Sequence, residues 1–202
     1  MRIVEATFRI SAANAAQFPT PGAPEVAFVG RSNVGKSSLL NVLVGVRGLA
    51  KTSQTPGRTR LLNWFDVVPD KGSPLAFVDL PGFGYAKVAK AAQKTWQALI
   101  ESYFTQRAGL VLAVVLIDIR RGAETEERQL LEWLAHLGKD ALVIATKADK
   151  LVKSARIPAA EKIKHTLHLK RTPMVFSSHT GDGTKEIWSA IMRAAAHNAA
   201  AL

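Results

Sequence analysis

Residues 25–45 read EVAFVGRSNVGKSSLLNVLVG, and the fold turns on this stretch. An apolar run of strand length, EVAFVG, leads into GRSNVGKS (30–37), which fits the pattern G-x-x-x-x-G-K-[ST], and an amphipathic helical pattern follows. Glycines let the backbone bend so that successive N–H groups point inward at phosphate oxygens, and the helix that opens there adds the positive end of its dipole. Lys36 is placed to reach the β and γ phosphates, and the Ser37 hydroxyl to meet Mg²⁺. A strand before and a helix after are the context this motif requires. Gly30, Arg31, Ser32, Asn33, Val34, Gly35, Lys36, Ser37 and Ser38 are therefore the candidate phosphate cradle. A glycine turn that merely opens a helix does not account for the lysine and serine together.

Outward from this loop, short apolar runs alternate with helical periodicity. Candidate strands are 25–30, 61–68, 75–80, 110–118, 141–146 and 173–178, several of them nearly continuous apolar runs, as strands covered on both faces are. Trp96, Leu99, Ile100, Tyr103 and Phe104 repeat at helical spacing, as do Leu130, Trp133, Leu134 and Leu137, and again Ile187, Ala190, Ile191 and Ala194. The alternation predicts an α/β domain of three layers: a mostly parallel central sheet of about six strands, helices on both faces, and right-handed crossovers. One antiparallel edge pair is expected where PDKGSP (69–74) joins two strands with too few residues for a crossover helix. Residues 1–23 read as an N-terminal extension with a Pro-rich lead-in, in which VEATFRI (4–10) is a candidate added edge strand. Residues 24–197 form the main domain, and 198–202 an alanine-rich tail that frays.

Three further pieces lie at the carboxyl ends of predicted strands, where ligands meet an open α/β sheet. DLPG (79–82) offers the Asp79 carboxylate for a magnesium-bound water and the Gly82 N–H for a γ-phosphate. TKAD (146–149) follows ALVIA, and Asp149 can accept from both the ring N1–H and the exocyclic 2-amino group of guanine, neither of which adenine presents. Lys147 can lay its methylene stem along the base. In FSS (176–178), a backbone N–H of Ser177 or Ser178, next to Phe176, can meet the guanine carbonyl. Each piece is weak alone, but four in order are specific, and they point to GTP.

Bulk properties set bounds on the rest. The chain has 202 residues, long enough for one sizeable core. No apolar run approaches the roughly 20 residues of a membrane span, so no membrane span is expected, and a cytoplasmic location is. Zero cysteines exclude thiolate metal sites and cysteine nucleophiles. Of the five histidines only His165 and His168 have a spacing that puts both on one helical face, and they read as an extension of a basic surface rather than as a metal site. Lys and Arg number 27 against 16 Asp and Glu, a net +11, which attracts polyanions, nucleic acid first among them. The excess is patchy and densest between Lys147 and Arg171.

With these residues in view, the chain resembles the EngB group of bacterial ribosome-assembly GTPases, within the translation-factor-like P-loop GTPases. The likeness runs from EVAFVGRSNVGKSSLLN through LAKTSQTPGRTRLLNWF, FVDLPGFGYAKV, VLIDIR and ATKADK to VFSS. Relatives at large carry Asn where Thr146 stands, whereas T-K-x-D is the form of this group. The resemblance implies GTP or GDP held by the cradle together with Gly57, Arg58, Thr59, Arg60 and Leu61, by Asp79, Leu80, Pro81 and Gly82, by Thr146, Lys147, Ala148 and Asp149, and by Phe176, Ser177 and Ser178. It implies Mg²⁺ at Ser37, Thr59 and Asp79. Segment 47–60 shows neither helical nor strand period, so a loop is expected, and Thr52, Ser53 and Thr55 are competing hydroxyls that sequence alone leaves open.

For catalysis, Lys36, Thr59, Gly82 and Asn33 are the candidates. Ras-like proteins place a glutamine after D-x-x-G to orient the attacking water. Phe83 occupies that place here and cannot do so, which predicts slow intrinsic hydrolysis. Asn33 is the residue that in similar GTPases helps coordinate K⁺. Arg58, Arg60, Lys87 and Lys90 put basic charge beside the nucleotide-sensing loops, and the resemblance implies the large ribosomal subunit or its precursor, with its rRNA and ribosomal proteins, as the partner of a monomer. A role in cell division is associated with this group. The competing readings are a GTP-binding scaffold in division with negligible hydrolysis, and a small-molecule kinase, for which TKAD has no task.

Overall fold

The computed structural model describes residues 1–51, 61–83 and 90–199. Seven strands form one sheet: β1 (Ile3–Ala12), β2 (Glu25–Gly30), β3 (Leu62–Pro69), β4 (Leu75–Asp79), β5 (Leu110–Asp118), β6 (Ala141–Thr146) and β7 (Met174–Val175). Their order across the sheet is β1-β3-β4-β2-β5-β6-β7. β4, β2, β5, β6 and β7 run parallel, and β3 lies antiparallel to both β4 and β1. The count is one more than the expected six, because β1 adds an edge strand that makes a second antiparallel pairing. The hairpin between β3 and β4 aligns Phe65 with Phe77, and Gly72 takes a positive φ of 96° in its turn.

Five helices cover the sheet: α1 (Lys36–Val44), α2 (Lys90–Gln106), α3 (Thr125–His136), α4 (Lys153–Thr166) and α5 (Thr184–Ala199). Two apolar cores result. Leu99, Tyr103 and Phe104 of α2, Leu134 of α3 and Ile163 of α4 pack on one face of the sheet. Leu39, Leu40 and Leu43 of α1, with Ile187, Trp188 and Ile191 of α5, pack on the other. β5 is buried along its whole length, and its residues alternate between the cores: Ala113, Val115 and Ile117 on one side, Leu112, Val114 and Leu116 on the other. That explains why LVLAVVLID lacks a polar alternation.

α4 carries too little apolar periodicity to announce itself. Only Ala160 and Ile163 are buried within it, and Pro158 interrupts its hydrogen-bond ladder. β7 is also shorter than the predicted 173–178. Pro173 cannot donate to a ladder, and the Ser177 N–H turns away to the Asp182 carbonyl at 3.2 Å.

At the amino-terminal edge of the sheet, buried Glu25 accepts from Trp64 Nε1 at 3.1 Å, from the Tyr103 hydroxyl at 3.0 Å and from Arg107 Nε at 3.1 Å, with a second bond from the Arg107 fork. Arg107 also donates to the Pro19 carbonyl at 2.8 Å, and Phe18 packs on Trp64 with ring centroids 5.4 Å apart. These contacts fasten the lead-in segment to the core. A buried ion pair is tolerable only when its remaining polar atoms are bonded, as here. The opposite, carboxyl edge of the sheet is left for chemistry.

Candidate nucleotide-binding site

The phosphate cradle begins where β2 ends. Gly30 permits close packing: a Cβ there would sit 2.8 Å from the Leu116 carbonyl oxygen. Arg31 and Ser32 run beside Phe83, with the Ser32 N–H donating to the Phe83 carbonyl and the Phe83 N–H donating to the Gly30 carbonyl, both at 3.1 Å. Asn33 follows with φ of 60°, a region that asparagine tolerates better than most residues. Gly35, with φ of 105°, is the N-cap of α1. This arrangement aims the first N–H groups of α1, those of Lys36, Ser37 and Ser38, out of the helix, where they lack intrahelical acceptors. Val34 is buried and anchors the loop from below.

Lys36 Nζ bonds the Asp79 carboxylate at the end of β4. Both side chains are largely buried, so the two charges satisfy each other at the point where the motif expects phosphate and magnesium. The hydroxyl of Ser37 and the carboxylate of Asp79 are hard oxygen donors suited to Mg²⁺, which needs few protein ligands when phosphates supply the rest. Among the described residues no cluster of three or more His, Cys, Asp or Glu could hold a metal ion. Leu80 and Pro81 are buried, and the Leu80 N–H donates to the Phe28 carbonyl at 3.0 Å. Gly82 then passes so close to the cradle that a Cβ would lie 2.9 Å from Ser32 N. Phe83 packs its ring against the apolar core rather than presenting a polar group.

The guanine-side residues follow β6. Thr146 is buried, and its hydroxyl lies 2.6 Å from the Val34 carbonyl and 3.1 Å from the Ile117 carbonyl, sharing its hydrogen between them. It thus ties the base loop to the phosphate loop. Lys147 adopts φ of 60°, a strained conformation for a non-glycine residue, and is held in it at the far end of its side chain. Its ammonium donates to the Asn33 carbonyl at 2.6 Å and pairs with Asp118 at 2.9 Å. The buried Ala148 donates its N–H to the carbonyl of buried Phe176 at 3.1 Å, joining the loops after β6 and β7.

Asp149 accepts a hydrogen bond from Ser177 Oγ at 2.8 Å and faces Lys150 Nζ at 3.4 Å. Ser177 Oγ in turn accepts from the N–H groups of His179 and Thr180, so the acceptor is fixed in direction. Burial raises the Asp149 carboxyl, but the bonds from Ser177 and Lys150 outweigh it and hold the group below its usual range. An ionised, oriented carboxylate that can accept two donors is what guanine requires. The Ser177 N–H is spent on the Asp182 carbonyl, so of the two candidate donors expected from FSS the exposed Ser178 is the one not used there.

Asp118, at the end of β5, escaped the sequence reading. Burial raises its carboxyl, yet bonds from Arg120 and Lys147 bring it down to about 2. A signal was available: an acid closing an otherwise unbroken apolar strand at the ligand edge. The Arg31 guanidinium pairs with Glu124 at 2.7 Å and Glu126 at 3.4 Å, bracing the loop against the start of α3 and leaving the Arg31 backbone in the cradle. A cavity of about 240 Å³ opens between these parts, lined by Arg31, Asn33, Asp118, Arg120, Glu124 and Lys147. Leu61 is exposed just before β3. Gly57, Arg58, Thr59 and Arg60, like the competing hydroxyls at 52, 53 and 55, lie outside the described residues.

Residues 25–147 match the family described as 50S ribosome-binding GTPase. The chain is 46% identical over 192 residues to a probable GTP-binding protein EngB of Geobacter metallireducens, covering 95% of this chain and 92% of that protein. It is 44% identical to the EngB of Lacticaseibacillus casei, over 94% of both chains. Among solved structures, a probable GTP-binding protein engB superposes with a TM-score of 0.68 at 21% identity, covering 86% of this chain and 99% of that one. Era in complex with MgGDPNP and a segment of 16S ribosomal RNA superposes with a TM-score of 0.70 at 23% identity, covering 85% of this chain and 56% of that one. The two structural likenesses establish the P-loop GTPase fold, and the sequence identities carry the assignment further. With its glycine-lysine-serine cradle and its T-K-A-D loop in the places that fold reserves for them, the chain belongs to the EngB family of GTP-binding proteins.

Proposed function

We propose that this protein binds GTP and hydrolyses it slowly, as a switch in assembly of the large ribosomal subunit. The observation that supports it most is the guanine loop: Asp149, oriented by Ser177, sits on a loop bolted to the phosphate cradle through Thr146 and Lys147. Base recognition and phosphate binding are thereby parts of one rigid unit.

In this reading the N–H groups at the start of α1 and the Lys36 ammonium take the negative charge of the β and γ phosphates, and Lys36 exchanges Asp79 for phosphate when nucleotide arrives. Ser37 and Asp79, joined by Thr59, would hold Mg²⁺, which would supply charge neutralisation for the phosphates. The Gly82 N–H meets the γ-phosphate. Water attacks the γ-phosphorus, the bond to the bridging oxygen breaks, and GDP and phosphate leave. Phe83 offers the water no acceptor, so unassisted turnover is slow. The Asn33 side chain is the candidate K⁺ ligand, which can stand where an arginine finger would. Turnover measured in K⁺ and in Na⁺, with and without Asn33→Ala, tests this: a K⁺ preference lost in the variant supports it, and equal rates in both salts refute it.

The large subunit as partner, with its rRNA and ribosomal proteins, is supported by the description of the matching family and by the +11 charge. A role in cell division is part of the same proposal, carried over from the family resemblance. Among the described residues no helix is long and apolar enough to cross a membrane, which fits a cytoplasmic site of action. The packing of Phe83 into the core favours, as a second reading, a GTP-binding scaffold with negligible hydrolysis. Single-turnover hydrolysis with and without added large subunits separates the two: stimulation supports the switch, and none supports the scaffold. Co-sedimentation with subunits in the presence of a non-hydrolysable GTP analogue, GDP or nothing tests the partner.

A further inference from the structure

Charge is concentrated on α4 and the chain that leaves it. Seven lysines and arginines lie between Lys150 and Arg171, against the single carboxylate of Glu161. Three of the seven are neutralised locally: Lys150 by Asp149, Arg156 by Asp182 and Lys164 by Glu161. Lys153, Lys162, Lys170 and Arg171 are exposed and, among the described residues, have no carboxylate within ion-pair distance. A field of unpaired cations of one sign is unfavourable for the free protein through self-repulsion, and becomes favourable when a polyanion lies across it.

The end of α4 adds a second observation. The Leu169 N–H donates to the Lys164 carbonyl at 2.9 Å and the His168 N–H to the His165 carbonyl at 3.2 Å, a C-terminal cap that places His168 at φ of 52°. Glycine is the usual residue in that left-handed position, and a side chain there costs about 1 kcal/mol. The imidazole of His168 makes no hydrogen bond to another described group. Its ring is exposed, as is that of His165. Helix residues three apart lie about 5–6 Å from one another, so Lys162 and His165 share one exposed row of α4, and His168 follows just past the helix end.

From these features we infer that α4 and its exit segment, Lys153 to Arg171, are an RNA-binding surface that grips backbone phosphates through Lys153, Lys162, Lys170 and Arg171 and offers His168 to an exposed base or sugar. The inference rests on the ribosomal reading only for the identity of the polyanion. None of these residues belongs to the phosphate cradle, so the grip does not depend on the nucleotide state. An acidic membrane surface is the competing partner, but only two exposed aliphatic residues, Val152 and Ile157, stand near the helix start, too little apolar area for a helix lying in lipid.

The test uses the full chain and a fluorescent RNA duplex of about 20 base pairs with a single-stranded end, longer than the roughly 16 that a duplex-reading domain spans. Affinity is followed against salt for the wild type, for the quadruple variant Lys153→Gln, Lys162→Gln, Lys170→Gln, Arg171→Gln, and for a control losing the same charge elsewhere, Arg2→Gln, Lys71→Gln, Arg128→Gln, Arg193→Gln. Unchanged thermal midpoints and GTP-analogue affinity certify the folds. The α4 variant should flatten the log–log salt slope by about 3, at roughly 0.7–0.9 per lost phosphate contact, and the control by less than 1. Equal flattening in both overturns the inference, as does tight binding to phosphatidylserine vesicles without binding to RNA. If the α4 variant keeps the wild-type RNA slope yet still sediments with subunits in the GTP form, the surface is wrong and the switch reading stands. If the wild type never sediments but the α4 salt effect holds, the reverse applies.

Discussion

Replacing Asp118 by asparagine keeps the shape and removes one charge from the brace between the guanine loop and the phosphate loop. In the native chain this carboxylate takes Lys147 at 2.9 Å and both arms of the Arg120 fork at 2.9 and 2.6 Å, while its own side chain is only 6% exposed. Bonds to charged groups contribute about 1.5–3 kcal/mol each against about 1 for neutral ones, so the amide retains part of the Lys147 contact and forfeits about 1–2 kcal/mol. The Arg120 side lies in solvent and adds little. Lys147 then relaxes from its strained backbone conformation, and guanine-nucleotide affinity should fall about tenfold, the equivalent of about 1.4 kcal/mol. Titration calorimetry with GDP reads this directly. Acid stability supplies an independent check. The Asp118 carboxyl is held at about 2, below its ordinary 3.8, so its contribution is complete above pH 4 or so and disappears as pH falls through about 2. The ceiling of that contribution is about 2 kcal/mol, lowered by solvent around Arg120. The variant should lack this limb of the acid profile. An Asp118→Asn protein with native affinity for GDP and a native acid limb would refute the reasoning.

Thr146→Val is isosteric but leaves the Val34 and Ile117 carbonyls without their donor, at a cost of about 1–3 kcal/mol, and should lower the thermal midpoint by several degrees and weaken GDP binding. Gly82→Ala drives a methyl to 2.9 Å from Ser32 N, a backbone atom that moves only with the whole cradle, so GTP-analogue affinity should fall at least tenfold, while Gly22→Ala, with nothing within 4 Å of its new methyl, should be silent in the same titration. Glu25→Gln leaves the Arg107 charge uncompensated in the core and should cost about 3 kcal/mol or more in urea unfolding, without changing nucleotide affinity, because the network lies at the far end of β2 from the cradle. Burial, then the Glu25 charge, raises the Tyr103 hydroxyl well above 10.0, so folding stability is full below pH 10 and is lost as pH rises beyond it; Tyr103→Phe should remove that alkaline limb.

Much of the fold was legible because its core strands are buried on both faces. EVAFVG, LVLAVVLID and ALVIAT occupy the strands read from them residue for residue. Elements at the sheet margins were less visible. α4 buries a narrow stripe and carries Pro158, while β7 is reduced to Met174–Val175 because Pro173 and Ser177 divert its hydrogen bonds. In the candidate site the structure places Lys36 against Asp79 and Asp149 against Ser177, and Lys36, Asp79 and Asp149 were nameable from spacing because their type follows from ligand chemistry. Residues that position them through other protein groups were not. Asp118 acts through Lys147, and Thr146 acts through the Val34 carbonyl rather than toward a base. Such roles emerge only once β2, β5 and β6 pair side by side and bring residues 33, 118 and 147 together.

Direct comparison of GTP and ATP binding by titration calorimetry, with Mg²⁺ present, tests the central claim that Asp149 selects guanine. Two bonds to an ionised acceptor, at about 1.5–3 kcal/mol each, predict that ATP binds at least about a hundredfold more weakly than GTP, with Asp149→Ala losing most of that preference. ATP affinity within tenfold of GTP, or no binding of either, would contradict the account.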